Sequence, residues 1–260
     1  MLKKNQFNQY LEELFTPELI EKARKVDPKM SNGLQIPGTD EIKHVIVGVS
    51  ISAALIDEAL ERGADTIITH HGLNMSYPYN LMLPQQALRL KLLLCNNLNL
   101  YGFHHVLDAH PELGHNAQLA KLLGARIVKP YKQDWGFIAE LPQAIELQKL
   151  ADKLKEILDH DIFVVEAGED KKVKRLGLIA GAGMPRSIDL LQILEDQVDV
   201  HITGEIAEWN VYQFMEMGIA YMACGHNATE ALGMKALTKK LQNQFKGKIK
   251  VEFIDIPNPI

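Results

Sequence analysis

Apolar and polar positions along the chain switch repeatedly between a helical period and short buried runs, and the switches predict most of the elements. Residues 4–15 read as a helix, and Thr16-Pro17-Glu18 opens a second one with proline in its first turn. Asn32-Gly33 breaks the pattern, and residues 44–49 form a strand. Residues 52–62 are amphipathic at helical spacing, with Leu55, Ala59 and Leu60 inward and Gly63 as the stop. The strand at 67–69 completes a βαβ unit. A polar segment holding Pro78 and Pro84 leads to a helix ending near Cys95 and a strand at 98–103. Residues 104–115 are loop-like, and a helix at 116–123 is closed by Gly124.

The pattern changes between 128 and 167, where we expect a short strand at 136–140, a helix at 143–158 and a strand at 163–166. The basic run at 171–175 reads as a solvated turn. Then βαβ logic returns: a strand at 176–180, a Gly-rich turn, a helix at 187–194 and a strand at 198–203. A helix with Val211, Phe214 and Met215 as its apolar positions precedes a strand at 220–224. A helix at 229–244 and a strand at 249–254 end the chain.

The two halves resemble each other. Ala64-Asp65-Thr66-Ile67-Ile68-Thr69 matches Val198-Asp199-Val200-His201-Ile202-Thr203, and Tyr101-Gly102-Phe103-His104 matches Tyr221 to His226 with a small offset. The fold class is therefore α/β, with two similar lobes facing across a cleft and arising by duplication. The expected boundaries are 1–127 plus 236–260 for the first lobe and 128–235 for the second.

Histidines collect just after the inferred strand ends, where open α/β sheets bind ligands. Thr69-His70-His71-Gly72 is followed by His104, His105, Asp108 and His110, and the second half supplies Gly225-His226 with Glu230. His226 and Glu230 lie one helical turn apart and can grip one ion or neighbouring ones. His70 and His71, adjacent on a strand, point to opposite faces; they serve one site only if the chain leaves strand geometry or if two metals share them. Imidazole and carboxylate suit Zn, Fe, Mn, Co or Ni, and two such divalent ions bridged by carboxylate and water are the usual hydrolytic arrangement. Two cysteines, Cys95 and Cys224, fit neither a disulfide framework nor a thiolate zinc site.

Net charge of -5 offers no basic stripe, so nucleic acid is not an expected partner. No stretch approaches the about 20 apolar residues of a membrane span, and the charged N-terminus lacks a signal peptide's apolar core. A cytoplasmic location follows as the expectation.

Six separated motifs stand in order: Asn32-Gly33-Leu34-Gln35, Thr69-His70-His71-Gly72, Leu107 to Gly114, Ile202-Thr203-Gly204-Glu205, Gly225 to Glu230, and the tail Phe253 to Pro259. Together they resemble the Nif-three-like dinuclear metal-binding family, whose members are often labelled GTP cyclohydrolase 1 type 2 homologues. The resemblance covers nearly the whole chain and implies two divalent ions held by His70, His71, Asp108, His226 and Glu230. It also implies a homohexamer and a small-molecule substrate, with GTP ring opening as the reaction in the label. His104 matches a family histidine near the metals. Asn227 departs from the aromatic residue or histidine of many members.

Glu205 aligns by the internal duplication with a histidine of the first half, so Glu205 and His104 are the candidate proton carriers. The competing reading of Glu205 is an ordinary helix start. Gly181-Ala182-Gly183 through Ser187 is a broken dinucleotide fingerprint that could still receive a substrate phosphate, Ser187 capping the helix, or be a plain tight turn. His115, in a copy of the Gly225–Ala228 motif, lacks the carboxylate four residues on. His105 and His110 read as loop residues, His44 and His201 as strand positions, and Cys224 as a buried strand thiol. A metal-dependent hydrolase is the reading that follows; a regulatory or scaffold protein that binds metal without turnover is the rival. The N-terminal helix and the segment 73–83 are the expected subunit contacts.

Overall fold

The computed structural model describes residues 2–75, 81–168 and 172–260. Two compact units emerge, Met1–His110 with Met234–Pro257 and Pro111–Gly233 with Asn258–Ile260. The first begins with β1 (Leu2–Lys3), α1 (Lys4–Phe15), α2 (Pro17–Val26), β2 (Asn32–Ile36) and β3 (Glu41–Ile42). It continues through β4 (His44–Ser50), α3 (Ala53–Glu61), β5 (Thr66–His71), α4 (Pro84–Cys95), β6 (Asn99–Phe103) and α5 (His105–Ala109). The second holds α6 (His115–Leu123), β7 (Arg126–Tyr131), β8 (Gly136–Glu146), α7 (Leu147–Leu158), β9 (Phe163–Val165) and β10 (Lys172–Ile179). After them come α8 (Ser187–Glu195), β11 (Val200–Thr203), α9 (Glu208–Met217) and β12 (Ala220–Ala223). Helix α10 (His226–Gln244) carries the chain back to β13 (Lys250–Phe253) in the first sheet.

The first sheet runs β13-β4-β5-β6-β2, parallel except for its edge strand β2. Central β5 is buried on both faces, which is why it reads as a continuous Thr-Ile-Ile-Thr run. One face packs Ile46, Leu55, Ile56, Ile67, Leu93 and Leu100. Elsewhere in the unit Phe7 meets Tyr101 edge-on, and Phe15 lies 4.4 Å from Phe103.

The second sheet runs β7-β8-β10-β11-β12-β9, with β10, β11 and β12 parallel and the outer strands antiparallel. Leu119 and Leu123 of α6 join Leu150, Leu154, Leu176 and Val200 in one cluster. Because α6 packs there, the division falls after His110 and not at residue 127. Tyr131, Ile179, Ile193, Phe214 and Tyr221 belong to a second cluster.

Several expectations shift. Asn32-Gly33 enters an edge strand, where a glycine is tolerated, instead of breaking a pattern. The basic run is the outer end of β10, its exposed lysines alternating with buried Val173; Lys171 lies outside the described residues. Residues 143–146 extend β8, so α7 starts only at Leu147. Helix α10 begins at His226, three residues before the expected start. Phe7, Leu11 and Phe15 point inward, so α1 leaves no large apolar side chain exposed for a subunit contact. In the segment 73–83, Leu81, Met82 and Leu83 are exposed and residues 76–80 lie outside the described ones. Met215 is exposed, not core, along with Trp209 and Tyr212 on α9 and Ile188 and Leu191 on α8.

Candidate functional site

In the first unit, His70 and His71 close β5 without leaving strand geometry, since His71 is still in register with Ser50 of β4. Their rings nevertheless converge, with centroids 4.6 Å apart. His104, just past β6, stacks on His70 at 4.6 Å and 19°. One ring nitrogen from each of the three lies within 4.8 Å of the others. Asp108, buried on α5, places Oδ1 3.9 Å from His70 Nε2.

Each of these rings is held by the same atom. His70 Nδ1 donates to Phe103 O at 2.9 Å, His71 Nδ1 meets Ser50 Oγ at 2.8 Å, and His104 Nδ1 meets Asp27 Oδ2 at 2.6 Å. The carbonyl and the carboxylate, being acceptors, put the proton on Nδ1 of His70 and His104 and leave Nε2 with its lone pair. The Ser50 hydroxyl can accept from His71 in the same way, the usual second partner of a metal-binding imidazole. Sequence reading missed Asp27 and Ser50, which lie 77 and 21 residues from their histidines. The loop after β5 is fixed from β2. Gln35 Oε1 accepts from Leu73 N at 2.8 Å, and Gln35 Nε2 donates to Leu73 O at 2.5 Å. A Cβ at Gly72 would fall 2.5 Å from Gln35 Oε1, so a larger residue here would have to push the Gln35 amide off Leu73.

In the second unit, His226 opens α10 with Glu230 one turn on, and its Nε2 lies 3.0 Å from Glu230 Oε1. Glu205 Oε1 lies 2.5 Å from His226 Nδ1. The N-cap of α9 is Ala207, so Glu205 precedes the helix start and its carboxylate serves His226. Burial alone would lower the pKa of His226, but the Glu230 and Glu205 carboxylates outweigh it and lift it to about 9. A half-buried imidazolium between two carboxylates marks a position built to hold positive charge. Gly181, at φ 67°, closes against this group: a Cβ there would sit 2.1 Å from Glu230 Oε1.

The Gly-rich turn reaches Glu230, but its glycine amides face inward. Gly181 N–H donates to Thr229 Oγ1 and Gly183 N–H to Thr203 Oγ1. Ser187 is the first residue of α8 and not its cap; Arg186 is the cap, its N–H bonded to Asp189. His201 is fully buried, donating from Nε2 to Gly183 O at 3.0 Å and accepting from the Tyr131 hydroxyl at 3.1 Å. Burial, with the Lys132 ammonium nearby, lowers its pKa to about 3. His44 is buried against Glu252. His105, His110 and His115 are buried rather than solvated, His105 and His115 as first residues of short helices. In the copied motif Asn116 is a structural bridge, accepting from Ala180 N and donating to Trp135 O. Burial pushes the Cys224 thiol far above its usual range, which suppresses redox chemistry there.

The described residues contain no helix long and apolar enough to cross a membrane. The chain is 36% identical over 258 residues to a GTP cyclohydrolase 1 type 2 homolog of Haemophilus influenzae, covering 97% of this chain and 99% of that one. It is 37% identical over 254 residues to the protein of the same name from Escherichia coli K12, with the same coverage of both chains. Among solved structures, a protein called ybgI, described as of unknown function, matches at a TM-score of 0.85 and 33% identity over 100% of both chains. TTHA1606 from Thermus thermophilus matches at 0.82 and 27% identity, again over 100% of both. Reduced HcgD from Methanocaldococcus jannaschii, at 0.83, 23% identity and 98% of each chain, shares the fold. Residues 2–259 match the Duf34/NIF3 (NGG1p interacting factor 3) profile, and with the fold and the curated relatives in agreement, the chain belongs to that family.

Proposed function

We propose that the chain is a dinuclear metal protein and a metal-dependent hydrolase acting on a small molecule. Its metal donors are His70, His71 and Asp108 in the first unit and His226 and Glu230 in the second. The observation that carries this reading is the trio His70, His71 and His104, each ring anchored through Nδ1 so that Nε2 faces the others. The donor chemistry fits divalent Zn, Fe, Mn, Co or Ni, with no thiolate in either group. Two bound ions would supply a water ionised near neutral pH.

The protein's own residues then have distinct tasks. Asp27 and Ser50 orient His104 and His71, and Glu205 holds the Nδ1 proton of His226. His104 and Glu205 are the groups able to carry a proton to or from substrate. Gly181 keeps the chain close to Glu230 by having no side chain. With Gly181 and Gly183 amides committed inside the protein, these glycines and Ser187 contribute a wall of the substrate site and not a phosphate cradle. The label of the relatives makes a nucleotide such as GTP the first substrate to assay. A homohexamer is part of this reading, and the exposed Ile188, Leu191, Trp209, Tyr212 and Met215 supply apolar surface for a subunit contact.

Metal analysis of the purified protein tests the proposal. Wild type should carry two ions per chain, and His70→Ala and Glu230→Ala should each lose at least one while remaining folded by circular dichroism. Full metal occupancy in both variants overturns the ligand assignment. Full occupancy in wild type without hydrolysis of nucleotides, phosphoesters or peptides favours the regulatory or scaffold reading.

A further inference from the structure

Glu205 meets His226 through its side chain, so the backbone that carries Glu205 decides where the carboxylate stands. That backbone is irregular, lying between the end of β11 at Thr203 and the start of α9 at Glu208. Its two flanks are pinned. On one side Gly204 N–H donates to Gly181 O at 2.9 Å and Gly204 O accepts from Gly225 N at 3.0 Å. On the other, Ala207 N–H donates to Asn210 Oδ1 at 3.3 Å. Glu205 itself is held from the neighbouring strand, where the Tyr221 hydroxyl donates to Glu205 O at 2.6 Å.

Tyr221 makes a firm anchor. It is fully buried on β12, between His201 of β11 and Val165 of β9. Its ring meets Phe214 edge-on at 4.7 Å and lies 5.2 Å from the His201 ring. A ring packed on all sides keeps one orientation, so its hydroxyl is a fixed point. Burial, with Cys224 and the Glu205 carboxylate nearby, pushes the phenol far above its usual range, so it stays a donor. A buried phenol needs some acceptor, but that acceptor need not adjoin the candidate metal group. Tyr131, in the same cluster, meets His201 Nδ1 at 3.1 Å instead.

We propose that Tyr221 is a positioning residue for the second unit's candidate metal group. Its hydroxyl fixes the Glu205 backbone, and through it the carboxylate that stands 2.5 Å from His226 Nδ1. The effect on metal affinity rests on the proposed role of His226 and Glu230, whereas the chain of hydrogen bonds does not require an ion. Tyr221 touches neither ion nor substrate and acts through Glu205.

The test compares Tyr221→Phe with Tyr131→Phe, each of which removes one hydroxyl from the same buried cluster and leaves the ring. Both should fold, with similar shifts in urea midpoint. Proton spectra of the EDTA-treated chain should show His226 Nδ1–H as a low-field resonance in wild type and Tyr131→Phe, identified by its loss in Glu205→Ala. In Tyr221→Phe that proton should exchange with water about tenfold faster. Under chelator competition Tyr221→Phe should bind zinc about tenfold more weakly, the lower end of what loss of an orienting partner costs, while Tyr131→Phe binds as wild type does. In a Glu205→Ala background Tyr221→Phe should change the affinity no further, since no carboxylate is left to position. An unaltered resonance in Tyr221→Phe overturns the proposal, and so does its absence from wild type. Equal losses of affinity in the two tyrosine variants, or an undiminished loss in the Glu205→Ala background, would assign the effect to general loosening and overturn it as well. If wild type binds no zinc, the metal reading fails, and the resonance alone decides the role of Tyr221.

Discussion

Strands β4-β5-β6 of the first unit and β10-β11-β12 of the second correspond residue by residue. Thr69 pairs with Gly102 as Thr203 pairs with Ala223, so the register carries Ile67 onto His201 and His105 onto His226. The aspartate before each central strand repeats its task as well. Asp65 Oδ2 accepts from Lys43 N and His44 N at 2.7 and 3.1 Å, and Asp199 Oδ2 accepts from Lys174 N and Arg175 N, both at 2.8 Å. Beyond the strand ends the likeness stops. The first unit's central strand runs on through His70-His71, whereas the second unit's stops at Thr203 and is followed by Gly204-Glu205. The aspartates that hold backbone are the same in both units, and the residues of the candidate metal groups differ. One scaffold thus carries an imidazole-rich group in one copy and a carboxylate-rich group in the other.

The first expected effect, read on metal affinity, falls on the ring-orienting partners. Glu205→Gln should weaken metal binding about 10–100-fold, because it removes the charge that supports His226. Ser50→Ala, which takes a neutral hydroxyl from His71, should cost less. Chelator competition on the two variants gives the ranking, and the reverse order would break the distinction between the units.

Gly181→Ala and Gly63→Ala form a second pair, with φ of 67° and 68°. No atom lies within 4 Å of a Cβ at Gly63, whereas one at Gly181 would meet Glu230 Oε1 at 2.1 Å. Gly63→Ala should cost about 1 kcal/mol from backbone strain, and Gly181→Ala about 3 kcal/mol from strain plus crowding. Equal losses in urea unfolding would mean that the strand ends of the second unit are no more crowded than a surface turn.

Asp65→Ala and Asp199→Ala should each cost about 2 kcal/mol, since each removes a charged acceptor from two backbone donors. Losses that differ by more than about 1 kcal/mol would separate two scaffolds that the register makes equivalent.

The smallest effect is one of pH. His201 takes the place that Ile67 holds in the first unit, and its pKa of about 3 lies below the unfolded value of 6.5. Between those values the unfolded chain binds the extra proton, so the stability contributed by neutral His201 is complete above pH 6.5 and declines as pH falls. At pH 5.5 the loss should be about 1.4 kcal/mol. Denaturant midpoints at pH 5.5 and 7.5 measure it, and His201→Gln should narrow the difference. An unchanged difference in that variant would assign the pH dependence elsewhere.

The helices and parallel strands were legible because their apolar periods are local: α1 spans the expected residues 4–15, and β5 follows from Thr66-Ile67-Ile68-Thr69. Strands β2 and β7 were not anticipated, since an edge strand buries little and shows no continuous apolar run. Histidines after strand ends, with the family resemblance, pointed to the candidate donors, and the duplication pointed to Glu205, whose carboxylate lies against His226. Asp27 and Ser50 carry no local signal, because an acid after a helix and a serine after a strand are ordinary until folding brings a ring nitrogen to them.

The two hydrogen bonds from Gln35 to Leu73 have a mechanical consequence. They tie the chain to an edge strand two residues after His71, so the backbone that leaves the imidazoles is held from β2 as well as from β4. Gln35→Leu should release Leu73 from β2 and loosen the end of β5 two residues earlier, where His70 and His71 stand.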